Sequence, residues 1–143
     1  MKIRNGFVSN SSSSSFMIAV GKVVNEVELL NFLISNKVSN YEIVSYENFE
    51  FSKYSGGVKR SEYARLNKDE TEISVESFNG NYVRAPYDKT QKYFAYYDCV
   101  DCDCNDDGEA IFDEDIEDTV VSTLGATEFI EDFDITTGCG RNG

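Results

Sequence analysis

Basic side chains are missing from most of the last third of this 143-residue chain. Residues 1–92 carry 12 Lys and Arg against 11 Asp and Glu, whereas residues 93–143 carry one Arg against 15 Asp and Glu. The carboxylates between Lys92 and Arg141 can be offset only by the first part of the chain, by a bound cation or by a basic partner. We therefore expect no direct binding of nucleic-acid phosphate by this part. A solvated acidic face that keeps the protein soluble is the simplest interpretation.

The length and composition favour one folded domain. A chain of 143 residues is the size of one ordinary domain, and its 41% hydrophobic and 13% aromatic content is too apolar for a disordered chain. No apolar run approaches the roughly 20 residues needed to cross a bilayer. The amino terminus has no continuous apolar stretch before a small-residue cleavage site, so we expect no Sec-type export signal.

The first half of the chain contains two clear elements of secondary structure. The apolar residues 16–20 predict a strand that ends at Gly21. Asn25 and Glu28 have the spacing of a helix capping box, which predicts a helix up to Asn36. Its apolar positions recur at helical spacing at Val27, Leu30, Leu33 and Ile34.

The remaining pattern is mostly that of strands. Residues 41–54 and 128–135 alternate between apolar and polar, residues 93–100 are aromatic, and Asn79-Gly80 predicts a hairpin in which both residues have positive φ. Acidic residues 113–115 predict the start of a second helix that ends at Gly125.

The predicted fold is α+β, a small antiparallel or mixed sheet with about two helices packed on it. We expect a serine-rich amino-terminal segment, residues 1–15, and a single acidic domain, residues 16–143.

Four cysteines raise the question of a zinc site. Cys99 and Cys102 have the spacing of a zinc knuckle, and Cys104 and Cys139 would complete a tetrahedral set. In one extended strand, however, Cys102 and Cys104 would face away from Cys99. Unligated thiols are therefore the preferred interpretation, with structural zinc as the alternative.

The same stretch also fits a calcium loop. An EF-hand loop needs oxygen ligands at its positions 1, 3, 5 and 12, and these fall on Asp103, Asn105, Asp107 and Glu114. The preceding segment, however, is predicted to be a strand where an EF-hand has a helix. A hairpin turn over residues 105–108 accounts for the same residues and is preferred. We expect no cofactor, with zinc or calcium as the less favoured alternatives.

Catalytic groups are scarce. The chain contains no histidine, which removes the usual general base and the Ser-His and Cys-His nucleophile pairs. Gly56-Gly57 and Gly138-Cys139-Gly140 lack the spacing and the following helix of a phosphate-binding loop. Paired carboxylates are abundant, but spacing selects none of them. We therefore predict that the protein is not an enzyme.

The opening segment of the chain gives one resemblance. Residues 1–16, MKIRNGFVSNSSSSSF, resemble the amino terminus shared by many uncharacterised proteins of tailed bacteriophages and bacteria. No activity attaches to this segment. The resemblance implies a phage or prophage origin, and hence a location in the host cytoplasm or in the virion.

Two functions remain open at this stage. The first is a structural or accessory protein of a phage particle, which binds a protein partner, with phage structural proteins among the candidates. In this case the neutral amino-terminal strip would act as an anchor. Its expected partner-binding residues are Phe7, Ser11, Ser12, Ser13 and Phe16. The second is an acidic inhibitor whose carboxylates mimic nucleic-acid phosphates on a host enzyme, which requires them to lie on one exposed face.

Overall fold

The described part of the chain forms two antiparallel sheets and two α-helices. The structure is a computed structural model that describes residues 13–51, 56–102 and 112–141. The central sheet contains four strands, β1 (Ser13–Val23), β2 (Tyr41–Val44), β8 (Tyr93–Cys102) and β9 (Ile130–Arg141), in the spatial order β2-β8-β1-β9. The outer sheet contains β3 (Glu50–Phe51), β4 (Lys59–Arg60), β5 (Ala64–Leu66), β6 (Glu72–Glu76) and β7 (Tyr82–Pro86), in sequence order. The helices are α1 (Glu26–Ser35) and α2 (Phe112–Ser122).

The predicted α+β class is compatible with this arrangement, but a single small sheet was not the right description. The polar residues 59–70 contain β4 and β5, which build part of a second sheet. Strands of two and three residues are too short to show an alternating pattern, and the sequence therefore did not reveal them.

The central sheet is covered on both faces, so the molecule has three layers. Along β1, Phe16, Ile18 and Val20 pack against the outer sheet, whereas Met17 and Ala19 pack in the cluster that contains the helices. A strand buried on both faces has a continuous apolar sequence. This explains why residues 16–20 show no polar alternation.

The predicted first strand is present, but it does not end at Gly21. β1 continues to Val23, and a Cβ atom at Gly21 would lie 2.8 Å from the side chain of Ile130. The register with β9 shifts at this point, where Asp132 has a φ of 55°. Gly21 therefore allows close approach of a bulged neighbouring strand and is not a strand terminator.

Helix α1 begins where the sequence predicts. The side chain of Asn25 accepts a hydrogen bond from the backbone N–H of Glu28 at 3.1 Å, as an N-cap does. The predicted buried face is partly wrong, because Leu29 and Leu33 are buried while Val27 and Ile34 are exposed.

The second predicted helix, α2, and the hairpin of β6 and β7 are confirmed. In that hairpin turn only Gly80 has a positive φ.

Candidate functional site

Two of the five predicted anchor residues, Ser13 and Phe16, lie within the described part of the chain. Phe7, Ser11 and Ser12 are outside the described residues. Ser13 opens β1, where its backbone is in register with Cys102 on one side and Arg141 on the other. A strand with neighbours on both sides has no edge left to pair with a partner strand.

Phe16 belongs to the core and not to a partner-binding surface. It is 4% exposed, and its ring makes an edge-to-face contact with Phe78 at a centroid distance of 5.6 Å. A Cβ atom at Gly138 would lie 2.9 Å from the Phe16 ring. This corrects its expected role, because a buried ring packed this closely is not available to a partner.

The cysteines proposed for zinc are divided between two strands. Cys104 is outside the described residues, Cys99 is exposed on β8, and Cys102 ends that strand. Cys139 lies on β9, in register with Ser15 of β1. The intervening β1 separates the backbones of β8 and β9 by about 10 Å, twice the spacing of neighbouring strands. This placement does not bring the three described positions, Cys99, Cys102 and Cys139, to one point.

The proposed calcium loop is mostly outside the described residues, including Asp103, Asn105, Asp107 and the alternative hairpin turn. Glu114 lies in the first turn of α2. The segment before the loop is strand β8, where an EF-hand would have a helix. Among the described residues, no group of three or more His, Cys, Asp and Glu side chains is placed to hold a metal ion.

Three carboxyl groups meet at the hydroxyl of Tyr96, between β8 and α2. The hydroxyl oxygen lies 3.0 Å from Asp118 Oδ1, 3.1 Å from Glu117 Oε2 and 3.5 Å from Asp98 Oδ2. We call Asp98, Glu117 and Asp118 the carboxyl cluster. A tyrosine hydroxyl has one proton, which it donates to one carboxyl group at a time. The three groups therefore lie together most favourably when one of them is protonated.

Asp118 is a member of the cluster whose pKa is raised. Its pKa is raised from 3.8 to about 7, chiefly by burial and then by the hydrogen bond and the negative charge of Asp98. The hydrogen bond from Tyr96 acts in the opposite direction and lowers the pKa of Asp118. Burial also raises the pKa of Tyr96, so its phenol stays neutral.

Glu117 connects the carboxyl cluster to the loop between α1 and β2. Its Oε2 atom accepts hydrogen bonds from the backbone N–H groups of Ser39 and Asn40, each at 3.2 Å. The side-chain amide of Asn40 donates to the same oxygen at 3.3 Å. The cluster therefore fixes α2 against both the sheet and this loop.

An open cleft of about 600 Å³ borders the carboxyl cluster at Asp118. Its walls come from β1, α2 and β9, and its hydroxyl side chains are those of Ser15, Thr119, Ser122 and Thr137. Among the described residues that line the cleft, Asp118 is the only one with a carboxyl group. A single carboxyl of raised pKa can exchange a proton, but general acid–base catalysis also requires a second group at reacting distance.

Helix α1 exposes a row of apolar side chains, which we call the α1 stripe: Val24, Val27, Leu30 and Ile34. Val24 is 51% exposed, Val27 67% and Ile34 66%, while Leu30 is half-buried. Positions 27, 30 and 34 share one side of the helix, and Val24 lies just before the N-cap Asn25, outside the helix. Leu29 and Leu33 form a second apolar row that packs on the central sheet. The helix is therefore apolar on two sides, and in the part of the chain that the structure describes only the row of Leu29 and Leu33 packs in a core cluster.

The sequence contained a signal for the α1 stripe. An ordinary surface helix has one apolar row, whereas residues 26–35 contain two rows at helical spacing. The sequence did not show which row meets the sheet, because that depends on how the helix packs.

Comparison with known proteins gives no relative. No protein-family model, no curated protein and no solved structure matches the chain. Within the described residues, no helix has the length and the apolar character required to cross a membrane.

Proposed function

We propose that the protein is a non-enzymatic structural or accessory component of a tailed-phage particle and that it binds a protein partner through the α1 stripe. The exposure of Val27 and Ile34 on one side of a single helix, with exposed Val24 just before that helix, carries this proposal. Contiguous exposed apolar side chains, in contrast to scattered ones, are typical of interaction surfaces.

Two further observations support a binding role. Residues 1–16 resemble the opening segment of phage proteins, and this resemblance supports a phage or prophage origin of the protein. The carboxyl cluster makes hydrogen bonds that hold α2 in place. This use of the cluster favours a structural role over a catalytic one.

The alternative, an acidic inhibitor that mimics nucleic acid, is less favoured by the described carboxylates. Asp98 is buried, Glu117 is bound by backbone N–H groups, and Glu131 forms an ion pair with Lys22 at 3.1 Å. Asp98 and Glu117 are used within the fold and are not presented to a host enzyme, whereas Glu131 is exposed and its charge is offset by Lys22. A mimic must keep its carboxylates solvated and close together, so its stability would rise with salt as their repulsion is screened.

The proposal is tested by particle association. Wild-type protein and a Val27→Gln, Ile34→Gln double variant are expressed during infection, and purified particles are analysed by quantitative mass spectrometry. We expect wild-type protein in the particles and at least a ten-fold lower amount of the double variant. Glutamine retains helix propensity, so the variant removes the apolar surface without breaking the helix.

The matched control replaces exposed aromatic residues of the outer sheet. Phe51 is 67% and Tyr82 52% exposed, and threonine suits a strand at both positions. The Phe51→Thr, Tyr82→Thr variant should enter particles like wild-type protein. Absence of the wild-type protein from particles, or equal incorporation of all three proteins, contradicts the proposal.

A further inference from the structure

We propose that the carboxyl cluster is a pH-dependent switch that controls the docking of α2. The helix is held on the central sheet while Asp98 and Asp118 share a proton, and it opens locally when that proton leaves. This proposal is independent of the α1 stripe. It follows from the hydrogen bonds of the cluster, the charges around it and the small apolar contact of α2.

A hydrogen bond between two carboxyl groups connects α2 to the sheet. Asp98 lies on β8 and Asp118 on α2, and their side chains are hydrogen-bonded to each other. An ionised carboxylate is only an acceptor, so this bond requires that one of the two groups is protonated. Asp98 is buried, and two buried carboxyl groups this close together share one proton because both cannot carry a charge.

The third carboxyl group of the cluster has donors of its own. The Oε2 atom of Glu117 accepts hydrogen bonds from the backbone N–H groups of Ser39 and Asn40 and from the side-chain amide of Asn40. Glu117 therefore does not need the shared proton to satisfy its oxygen atoms. Its negative charge lies beside the Asp98–Asp118 pair and opposes a second ionisation there.

Among the described residues, the groups that face the pair are neutral or acidic. Residues 93–140 contain no basic side chain, and both β8 and α2 lie within this range. β8 adds the neutral Tyr96, α2 adds Glu117, and the loop between α1 and β2 reaches the cluster through the uncharged Ser39 and Asn40. The described residues of β1 and β9 that line the adjacent cleft are also uncharged. Loss of the proton therefore leaves two carboxylates in contact.

Helix α2 depends on the cluster because few of its side chains enter the core. Among its described side chains, those of residues 117–122, only Val121 is buried, and Val120 is partly buried. The next buried side chain, Leu124, follows the end of the helix. An element with few buried apolar contacts opens locally without unfolding of the whole domain. The bonds of the cluster therefore contribute much of what keeps α2 in place.

The direction of the response follows from where the proton is bound more tightly. The pKa of Asp118 is raised to about 7 by burial, then by the hydrogen bond and the charge of Asp98, and also by the charge of Glu117. When α2 opens, the carboxyl group is solvated and its pKa returns toward 3.8. Docking is therefore strongest below about pH 4 and weakens as the pH rises through about 7.

The experiment measures hydrogen exchange of the full chain by mass spectrometry between about pH 5.5 and about pH 8.5. Rates are corrected for intrinsic exchange at each pH, so that protection factors are compared. Helix α1, which packs in the same core cluster, is the internal reference. Wild-type protein is compared with Asp118→Asn and with Asp98→Asn. Glu128→Gln, which removes an exposed carboxylate outside the cluster, is the matched control.

In wild-type protein the protection of α2 should fall about five-fold over this pH range, a value that allows for partial exposure and screening of the cluster. The protection of α1 should stay nearly constant. An asparagine is neutral and its amide donates a hydrogen bond to the remaining aspartate, so both asparagine variants should keep α2 protected at every pH. Glu128→Gln should respond like wild-type protein.

Three results overturn the proposal. Constant protection of α2 in wild-type protein would show that the carboxyl groups separate by side-chain rotation while the helix stays docked. A parallel loss of protection in α1 and α2 would show a change in global stability and no local opening. A pH response that persists in both asparagine variants would show that another group controls it.

Discussion

Asp134 and Arg84 join the edges of the two sheets. The carboxylate of Asp134, on β9, accepts a hydrogen bond from the backbone N–H of Arg84, on β7, at 3.1 Å. β9 and β7 are edge strands of the central and the outer sheet, respectively. The contact therefore gives a partner to an edge N–H group of β7, a group through which foreign strands can pair.

Replacement of Asp134 tests this contact. Asp134→Ala should lower the free energy of unfolding by about 1 kcal/mol, because the N–H of Arg84 loses its acceptor. Asp134→Asn retains a carbonyl oxygen and should lie closer to wild-type protein. The measurement is urea denaturation of all three proteins, and identical losses for the two variants would show that the hydrogen bond is not the stabilising interaction.

Gly138 and Phe16 provide a packing test. Gly138→Ala places a Cβ atom 2.9 Å from the Phe16 ring, an approach that well-packed cores do not tolerate. We expect a loss of about 1–3 kcal/mol in the free energy of unfolding. Phe16→Leu, in the same background, should relieve the clash, so the double variant should lose less stability than the sum of the single losses. Strict additivity in urea denaturation would contradict this account.

The raised pKa of Asp118 predicts a dependence of stability on pH. A carboxyl whose folded pKa of about 7 exceeds its unfolded value of 3.8 is most stabilising when it is protonated. The stabilisation of the folded state by the protonated Asp118 carboxyl is complete below about pH 4. It is lost as the pH rises through about 7. Asp118→Asn stays neutral, so it should gain stability relative to wild-type protein from pH 5 to pH 8. Partial exposure and screening limit this gain to on the order of 1 kcal/mol.

The measurement for Asp118 is the difference in urea unfolding free energy between variant and wild-type protein at each pH. This difference cancels the titration of groups that the two proteins share. Glu128→Gln removes an exposed carboxylate elsewhere and serves as the control, whose difference from wild-type protein should stay nearly constant. A constant difference for Asp118→Asn as well would show that the proton is not held at this residue.

Metal binding is tested separately for the two ions. If the hairpin interpretation of residues 105–108 is right, calcium at physiological ionic strength should leave the Tm unchanged, and Glu114→Gln should behave like wild-type protein. A stoichiometric, micromolar calcium isotherm would overturn that interpretation. For zinc, we expect no metal in elemental analysis of untagged protein. One zinc per chain, lost on replacement of Cys102 and Cys139, would reverse the preference for unligated thiols.

Elements with a local sequence signal were predictable from the sequence. The strand at residues 16–20, the N-cap at Asn25, the hairpin around Gly80 and the second helix all correspond to elements of the structure. Each depends on several neighbouring residues or on a local conformational requirement. Such local signals do not depend on how distant parts of the chain pack.

Apart from the short strands β4 and β5, the features that were not predicted from the sequence depend on tertiary packing. The two apolar rows of α1 were equally acceptable as a core face until the position of the sheet was known. Asp98 and Asp118 are 20 residues apart and meet only because α2 packs beside β8. Phe16 was expected at a partner surface because it follows a serine run. Its burial depends on Gly138, a residue near the other end of the chain.

The central position of β1 sets the order in which the chain can assemble. Its neighbours are β8 and β9, so Phe16 is in register with Cys99 and with Gly138, residues that leave the ribosome much later. The outer sheet, in contrast, is a series of neighbouring strands paired in sequence order, and such local contacts form early. During synthesis β1 therefore cannot pair on both of its sides until β9 has been made. A nascent chain that ends before β9 leaves one edge of the apolar strand β1 unpaired. If such a chain is released from the ribosome, we expect it to aggregate and not to form a smaller stable domain.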